Sequence, residues 1–170
     1  ASTRTAVIKR LPIVYPEQHG FPASELHFDS ESLFVADGNL YLITKHRESS
    51  TPLLGTWRSG ANLYRLDTDF SDQDNQLTLI DNNPLLTAAT GADLSPDGQT
   101  LAVLSYSDLW LFTRPVSGDH WLSSGARRFP LNTDTFQQAE GIVWDDAGTL
   151  LITNEQRDIF RIVVADLAGG

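Results

Sequence analysis

The stretch Thr90-Gly-Ala-Asp-Leu-Ser-Pro-Asp-Gly-Gln-Thr-Leu-Ala-Val-Leu-Ser105 decides the fold, because the chain contains three versions of it. The other two are Glu31-Ser-Leu-Phe-Val-Ala-Asp-Gly-Asn-Leu-Tyr-Leu-Ile-Thr44 and Glu140-Gly-Ile-Val-Trp-Asp-Asp-Ala-Gly-Thr-Leu-Leu-Ile-Thr-Asn154. Each version has an apolar run, a turn signal and a second apolar run, which predicts a β-hairpin. The Asp-Gly pairs supply the positive φ that a short hairpin needs, and Ala147-Gly148 is a weaker form of the same signal.

A third and a fourth strand are predicted to follow these hairpins. The third strands share a polar, aliphatic, aromatic order and lie at 62–66, 108–112 and 158–162. Outer fourth strands are predicted at 76–80 and 126–131, where Pro130 suits an edge strand because proline lacks the N–H donor. The third unit has too little chain left for an outer strand of its own. Residues 5–15 are predicted to form an orphan outer strand ahead of the first unit.

Four-stranded units that repeat at roughly 50–60 residues are typical of a β-propeller. The sequence therefore predicts one all-β domain over residues 1–170, with antiparallel blades at about 27–80, 87–131 and 136–164. Propellers close with roughly four to eight blades, so three blades predict half of a six-bladed ring. A homodimer or a missing N-terminal half would complete that ring. The alternative is an open antiparallel sandwich whose hairpins are alike by accident.

Composition excludes several classes of protein. The chain has 170 residues, with 12 Lys and Arg against 22 Asp and Glu, and a formal net charge of −10. That charge disfavours a nucleic-acid partner. With no cysteine, the chain has no disulfide, thiol nucleophile or thiolate metal site. No apolar run approaches the ~18 residues that a membrane span requires.

Five segments carry a resemblance to a known family. They are Tyr15-Pro16, Asp29–Leu33, the hairpin Gly38–Lys45, Thr90–Gly98 and Gln138–Ile142. Over about residues 11–163 the chain resembles the C-terminal half of certain bacterial exported β-propeller proteins. More distantly it is similar to phytase-like, esterase-like and gluconolactonase-like six-bladed propellers. The resemblance implies a secreted or periplasmic protein, and it implies that the family's N-terminal blades have no counterpart in this chain.

Aligning the repeats places acidic residues at the start of the first strand of two units. Glu31, Thr90 and Glu140 form one column, in the strand that lines the channel of a propeller. Glu31, Leu33 and Val35 are expected on one strand face, as are Glu140, Ile142 and Trp144. Because carboxylates gathered at one channel mouth repel each other, calcium is the candidate cation for Glu31 and Glu140, with Asp29 and Asp93 as further oxygen ligands. The alternative is that these acids only cap strand ends.

A second column, Lys45, Tyr106 and Glu155, lies at the end of each second strand. These side chains are candidates for a ligand site at the same mouth. The alternative is that Lys45 and Glu155 pair with acids across blades in a solvated ring of ions. The loop 45–60 is the largest insertion within a unit, and such insertions often carry binding function.

The remaining motifs indicate no further metal or ligand site. The four histidines, at 19, 27, 46 and 120, lack zinc-site spacing. Residues 67–75 are spaced like a calcium loop but fail the EF-hand test at its sixth and twelfth positions. Tyr64, Trp110 and Phe160 occupy equivalent third-strand positions and are predicted to form core between blades.

Two functions remain open from the sequence. The first is an extracytoplasmic binding or scaffold module of unknown ligand that uses the blade mouth. The second is a calcium-dependent hydrolase of phosphoester, lactone or ester type, in which a cation at Glu31 and Glu140 polarises the substrate or activates water. Fold alone decides neither.

Overall fold

The computed structural model describes residues 6–48 and 57–169, and strands make up most of them. The strands are β1 Ile13–Val14, β2 Asp29–Ala36, β3 Asn39–Arg47, β4 Trp57–Leu66, β5 Asn75–Gln76, β6 Thr78–Thr87, β7 Ala89–Leu94, β8 Thr100–Ser105, β9 Asp108–Thr113, β10 Ala126–Pro130, β11 Ala139–Asp146, β12 Thr149–Asn154 and β13 Ile159–Val163. The helical segments are α1 Thr133–Phe136 and the 3₁₀ turns Trp121–Ser123 and Val164–Gly169. No helix in this described part of the chain is long and apolar enough to cross a membrane.

Three antiparallel sheets contain most of the strands. Sheet 1 has the order β2-β3-β4-β6, sheet 2 has the order β7-β8-β9-β10, and sheet 3 has the order β11-β12-β13. The first two strands of each sheet are the predicted hairpins. Asp37 and Gly38 both have positive φ in the first turn, as does Gly98 in the second, which is the backbone that those residue types favour.

Sheet 1 differs from the prediction at its outer edge. The outer strand β6 runs to Thr87, beyond the predicted 76–80, and Asn75–Gln76 leave the ladder to pair in parallel with β1. Of the predicted 5–15 strand, only Ile13–Val14 are strand among the described residues. The parallel pairing follows from the buried Asn75. Its side chain donates to the carbonyl oxygens of Pro12 and Phe70 and so holds the two segments together.

The first strands of the three sheets lie side by side. β2 contacts β7, and β7 contacts β11. One apolar cluster fills the space between sheets 1 and 2, and two more fill the space between sheets 2 and 3. Sheets that radiate from adjacent first strands are the arrangement of a propeller, so the fold is all-β and propeller-like. Among the residues described, the three sheets do not close into a ring.

The aromatic residues of the third strands show the rotational relation between sheets. Trp110 packs in the cluster against sheet 1, and Phe160 packs in the cluster against sheet 2. Each faces the sheet that precedes its own in the chain, a side that we call the preceding face. Tyr64 also lies on the preceding face of sheet 1, where Tyr15 covers it at a ring-centroid distance of 4.9 Å. The segment 11–28 thus takes part of the place of a preceding sheet.

Candidate functional site

The aligned column Glu31, Thr90 and Glu140 coincides with a β-bulge in every sheet. The ladder jumps from Ser30 to Ser32 in β2, and equivalent jumps skip Thr90 in β7 and Glu140 in β11. A bulge inserts one unpaired residue and turns its side chain away from the regular alternation. The two glutamates are therefore directed toward the ends of the neighbouring second strands.

Lys45 is the centre of this end of the molecule, which we call the mouth. Its side chain is 1% exposed, pairs with Glu31 and lies 4.0 Å from Asp29. The ammonium also lies 4.6 Å from the centre of the Trp57 ring and 5.9 Å from that of Tyr106. A buried ammonium requires such partners because the loss of hydration disfavours the charged form. The predicted ion pair thus forms within sheet 1 rather than across sheets.

Tyr106 and Glu140 connect sheets 2 and 3 at the mouth. The Tyr106 hydroxyl donates to Glu140 Oε1 at 2.9 Å. Burial raises the pKa of Tyr106, and the hydrogen bond and charge of Glu140 raise it further. Burial also raises the pKa of Glu140, and the charges of Glu31 and Glu155 add to the rise, while Tyr106 and Lys45 oppose it. The main cause of the raised pKa of Glu140 is therefore burial, and the like charges of Glu31 and Glu155 are secondary causes.

Only some of the predicted site residues come together at the mouth. Glu31, Lys45, Tyr106 and Glu140 come together, and Glu155 is close enough to act on two of them through its charge. Asp29 lies beside them but is engaged by Arg47 and Lys45.

Asp93 takes no part in the mouth. Asp93 lies on β7 three residues beyond the bulge residue Thr90. Its carboxylate accepts a hydrogen bond from the backbone N–H of Trp144 at 2.7 Å. That bond joins β7 to β11, so the structural role proposed as the alternative describes Asp93 better. Within the described part of the chain, no group of three or more His, Asp or Glu side chains is arranged to hold a metal ion. The calcium site stays a prediction.

The two strand faces predicted to line a channel differ from each other. Leu33 and Val35 are 51% and 54% exposed, whereas their counterparts Ile142 and Trp144 pack against sheet 2. The reason is that sheet 3 has a preceding sheet to pack on and the described part of sheet 1 has none at this point.

A cleft of about 400 Å³ opens beside Tyr106, and little in the sequence indicates it. Trp57 and Tyr106 form its aromatic walls, with ring centroids 5.8 Å apart. Thr133, Gln137 and Gln138 complete it from the α1 segment. This four-residue helix is too short for periodicity to reveal, and the N-cap Asn132, which accepts from the N–H groups of Asp134 and Thr135, is its one sequence signal. Trp57 lies in the predicted 45–60 insertion, of which residues 49–56 are outside the described residues.

Comparison with known proteins supports the fold and no more. No protein-family model matches the chain, and no curated protein matches it in sequence. Among solved structures, a luciferin-regenerating enzyme with a β-propeller-like fold aligns over 81% of this chain and 42% of that chain, with a TM-score of 0.53 and 18% identity. This chain therefore spans less than half the length of that neighbour. The resemblance to bacterial exported propellers stays a prediction from sequence motifs.

Proposed function

We propose that this chain is a binding module of a propeller-like protein and that its mouth binds a small organic cation, such as an amine. The observation that carries the proposal is the pair of aromatic walls, Trp57 and Tyr106, standing beside the carboxylates of Glu31 and Glu140. The extracytoplasmic location belongs to the same proposal and rests on the sequence resemblance.

Charge at the mouth supports a cationic ligand. The mouth holds three glutamates, Glu31, Glu140 and Glu155, together with the ammonium of Lys45. A second cation, Arg47, pairs with Asp29 and lies 4.6 Å from the centre of the Trp57 ring. An additional positive charge would reduce the repulsion among the glutamate carboxylates, which is a secondary cause, after burial, of the raised pKa of Glu140. The formal net charge of −10 also favours the approach of cations.

The aromatic walls favour an organic cation over a metal ion. Ammonium groups are attracted to the faces of Trp and Tyr rings, whereas calcium takes six to eight oxygen ligands. The Lys45 ammonium already lies between Glu31 and the two rings, so it takes the space that a metal ion would need beside Glu31. The neutral groups of Thr133, Gln137 and Gln138 suit the polar remainder of a ligand.

Calorimetric titration tests the proposal. Tetramethylammonium and n-butylammonium are the probes, with glucose as a neutral probe and calcium chloride as a metal probe. We expect saturable binding of an ammonium probe that weakens with salt. Trp57→Leu and Glu140→Gln should each weaken it about tenfold, and Glu25→Gln, on a different surface, is the matched control. Binding of glucose or calcium without ammonium binding, or no binding at all, contradicts the proposal.

The calcium-dependent hydrolase is the second candidate, because Glu31 and Glu140 occupy equivalent bulges at one mouth. Assays with p-nitrophenyl acetate, p-nitrophenyl phosphate and a simple lactone, each with calcium and with EDTA, test it. Turnover that requires calcium and disappears in Glu31→Gln would favour this candidate over the binding module.

We further propose that the three sheets are three blades of a six-bladed ring that a second copy of the chain completes. The open preceding face of sheet 1, with Leu33 and Val35, and the open face of sheet 3, with Val143, Ile159 and Val163, are the two halves of one such sheet-to-sheet contact. Two copies related by a twofold axis would pair these faces twice. Sedimentation equilibrium should give twice 18.8 kDa, and a monomer at all concentrations would contradict the dimer.

A further inference from the structure

A second polar pocket lies on the opposite face of strand β3 from Lys45. Successive side chains of a strand point to opposite faces, so His46 faces the preceding side of sheet 1 while Lys45 faces the mouth. The pocket has a volume of about 250 Å³ and is lined by His27, His46, Arg58, Asn62, Asn82 and Asn83. It shares no lining residue with the cleft at Trp57 and Tyr106.

An imidazole pair forms one wall of this pocket. The rings of His27 and His46 stack with centroids 4.0 Å apart and an angle of 21° between their planes. His46 Nε2 is buried and has no hydrogen-bond partner among the described residues. A buried polar nitrogen without a partner costs free energy, so a hydrogen-bond partner that reached this atom would be stabilising.

Gly60 makes room for the imidazole. A Cβ atom at this position would lie 2.5 Å from His46 Nδ1, and the glycine has φ of +124°. Both the space and the backbone conformation therefore require glycine here. The position of His46 in the pocket depends on this residue.

Arg58 is the charged residue among those that line this pocket beside His46. Burial is the main cause that lowers the pKa of His46 to about 4, and the neighbouring His27 and Arg58 lower it further. Arg58 lies on β4, opposite His46 in the ladder, and the neighbours from β6 are the neutral Asn82 and Asn83. Among the residues that the structure describes, Glu25 is the carboxylate paired with this group, 3.9 Å from His27 Nε2. Glu25 and Glu48 line a separate depression on the other side of His27 and Arg58.

We infer that this pocket binds a small oxyanion, the phosphate or carboxylate group of a ligand, between Arg58, the imidazole of His46 and the amide of Asn82. The guanidinium supplies charge-assisted hydrogen bonds, and the imidazole and amide donate neutral ones. On the side of this pocket the neighbours of Arg58 are the neutral amides Asn82 and Asn83, and the acids Glu25 and Glu48 line the separate depression on its other side. Because a bound anion favours protonated imidazole, its affinity increases as the pH falls toward the lowered pKa of His46, about 4.

NMR titration of the histidine ring signals tests this inference with inorganic phosphate, sulfate and acetate as probes. We expect saturable shifts of the His27 and His46 signals and a rise in the measured pKa of His46 when an anion is bound. Arg58→Gln should weaken binding about tenfold, while Arg127→Gln on β10 is the matched control. Binding of phosphate but not acetate would assign a phosphate group, and binding of both would assign oxyanions in general.

Three outcomes would overturn the inference. They are the absence of saturable shifts with every anion, equal shifts of the His19 and His120 signals, and equal affinity in Arg58→Gln. Arg58 is exposed, so this variant should fold, and a thermal melt verifies that it does. Gly60→Ala should displace His46 and weaken binding, with Gly20→Ala, where a Cβ atom meets nothing within 4 Å, as its control.

Discussion

At the scale of single residues, the ion pair of Lys45 dominates the mouth. Glu31→Gln removes the nearest carboxylate from an ammonium that is 1% exposed and leaves it with Asp29 at 4.0 Å. We expect the free energy of unfolding at neutral pH to fall by about 1–3 kcal/mol, below the usual cost of breaking a buried pair because Glu31 itself is 41% exposed. Urea unfolding measures the change.

The matched control for Glu31→Gln is Asp145→Asn, which removes the acid from an exposed pair with Arg161. An exposed pair contributes little, so this variant should stay within about 0.5 kcal/mol of the wild type. Equal losses in the two variants would show that the burial of Lys45 carries no special cost.

His46 should make the fold sensitive to acid. Its pKa is lowered to about 4 in the folded protein, so between about pH 6.5 and 4 the unfolded chain binds a proton that the folded chain does not. Stability is therefore lost as the pH falls through that window. We expect His46→Gln to reduce the loss by about 1–2 kcal/mol, allowing for solvent screening of a half-buried ring.

Unfolding free energies of the wild type and His46→Gln, measured from neutral pH down to about pH 4, test the effect. His120→Gln is the control for removing an imidazole elsewhere, and the difference between the two variants is the quantity of interest. Parallel pH profiles for wild type and His46→Gln would refute the assignment.

At the scale of strands, Gly91 sets the distance between β7 and β11. A Cβ atom there would lie 3.2 Å from both Cγ2 and the backbone nitrogen of Ile142. Because a backbone atom cannot rotate away, Gly91→Ala should separate the two strands and lower the free energy of unfolding by about 1–2 kcal/mol. Gly125→Ala, whose Cβ would meet Thr113 Oγ1 at 3.6 Å, should change it by at most about 0.5 kcal/mol. Denaturant unfolding measures the stability of both variants. Equal losses in Gly91→Ala and Gly125→Ala would contradict tight packing between β7 and β11.

The strands also show what the sequence could and could not predict. The hairpins were predictable because Asp37-Gly38 and Asp97-Gly98 specify local turns. The outer strand β6 was predicted at 76–80, but its continuation to Thr87 was not, since its partner lies on β4 and its register contains bulges that no local signal marks. The mouth residues were found by aligning repeats, yet the reason that they converge, a bulge at the same position in three strands, depends on the paired backbone.

Other parts of the two sites could not be deduced for a similar reason. The contacts of Trp57 with Lys45, and of His27 with His46, join residues from segments that are distant in the chain and carry no common pattern. Tyr64 was expected between blades, and in the described structure its neighbour is Tyr15 of the N-terminal segment. Periodicity identifies which face of a strand is apolar, but tertiary packing decides what covers it.

At the scale of the whole molecule, assembly should depend on the open face of sheet 3. Ile159 is 70% exposed on β13, so Ile159→Glu should leave the single chain as stable as the wild type to within about 0.5 kcal/mol. In the proposed dimer the same carboxylate would be buried against an apolar face, and the dimer should dissociate at least about tenfold more readily.

Sedimentation and thermal melts over a range of protein concentrations measure this difference together. A dimer that stabilises the folded chain makes the melting temperature of the wild type rise with concentration, whereas that of Ile159→Glu should not. Val116→Glu is the control, because Val116 is fully exposed in the loop after β9 and away from the open face. If Ile159→Glu and Val116→Glu assemble alike, the contact lies elsewhere. If the wild type remains a monomer throughout, no second copy completes the ring, and Leu33 and Val35 remain open in solution.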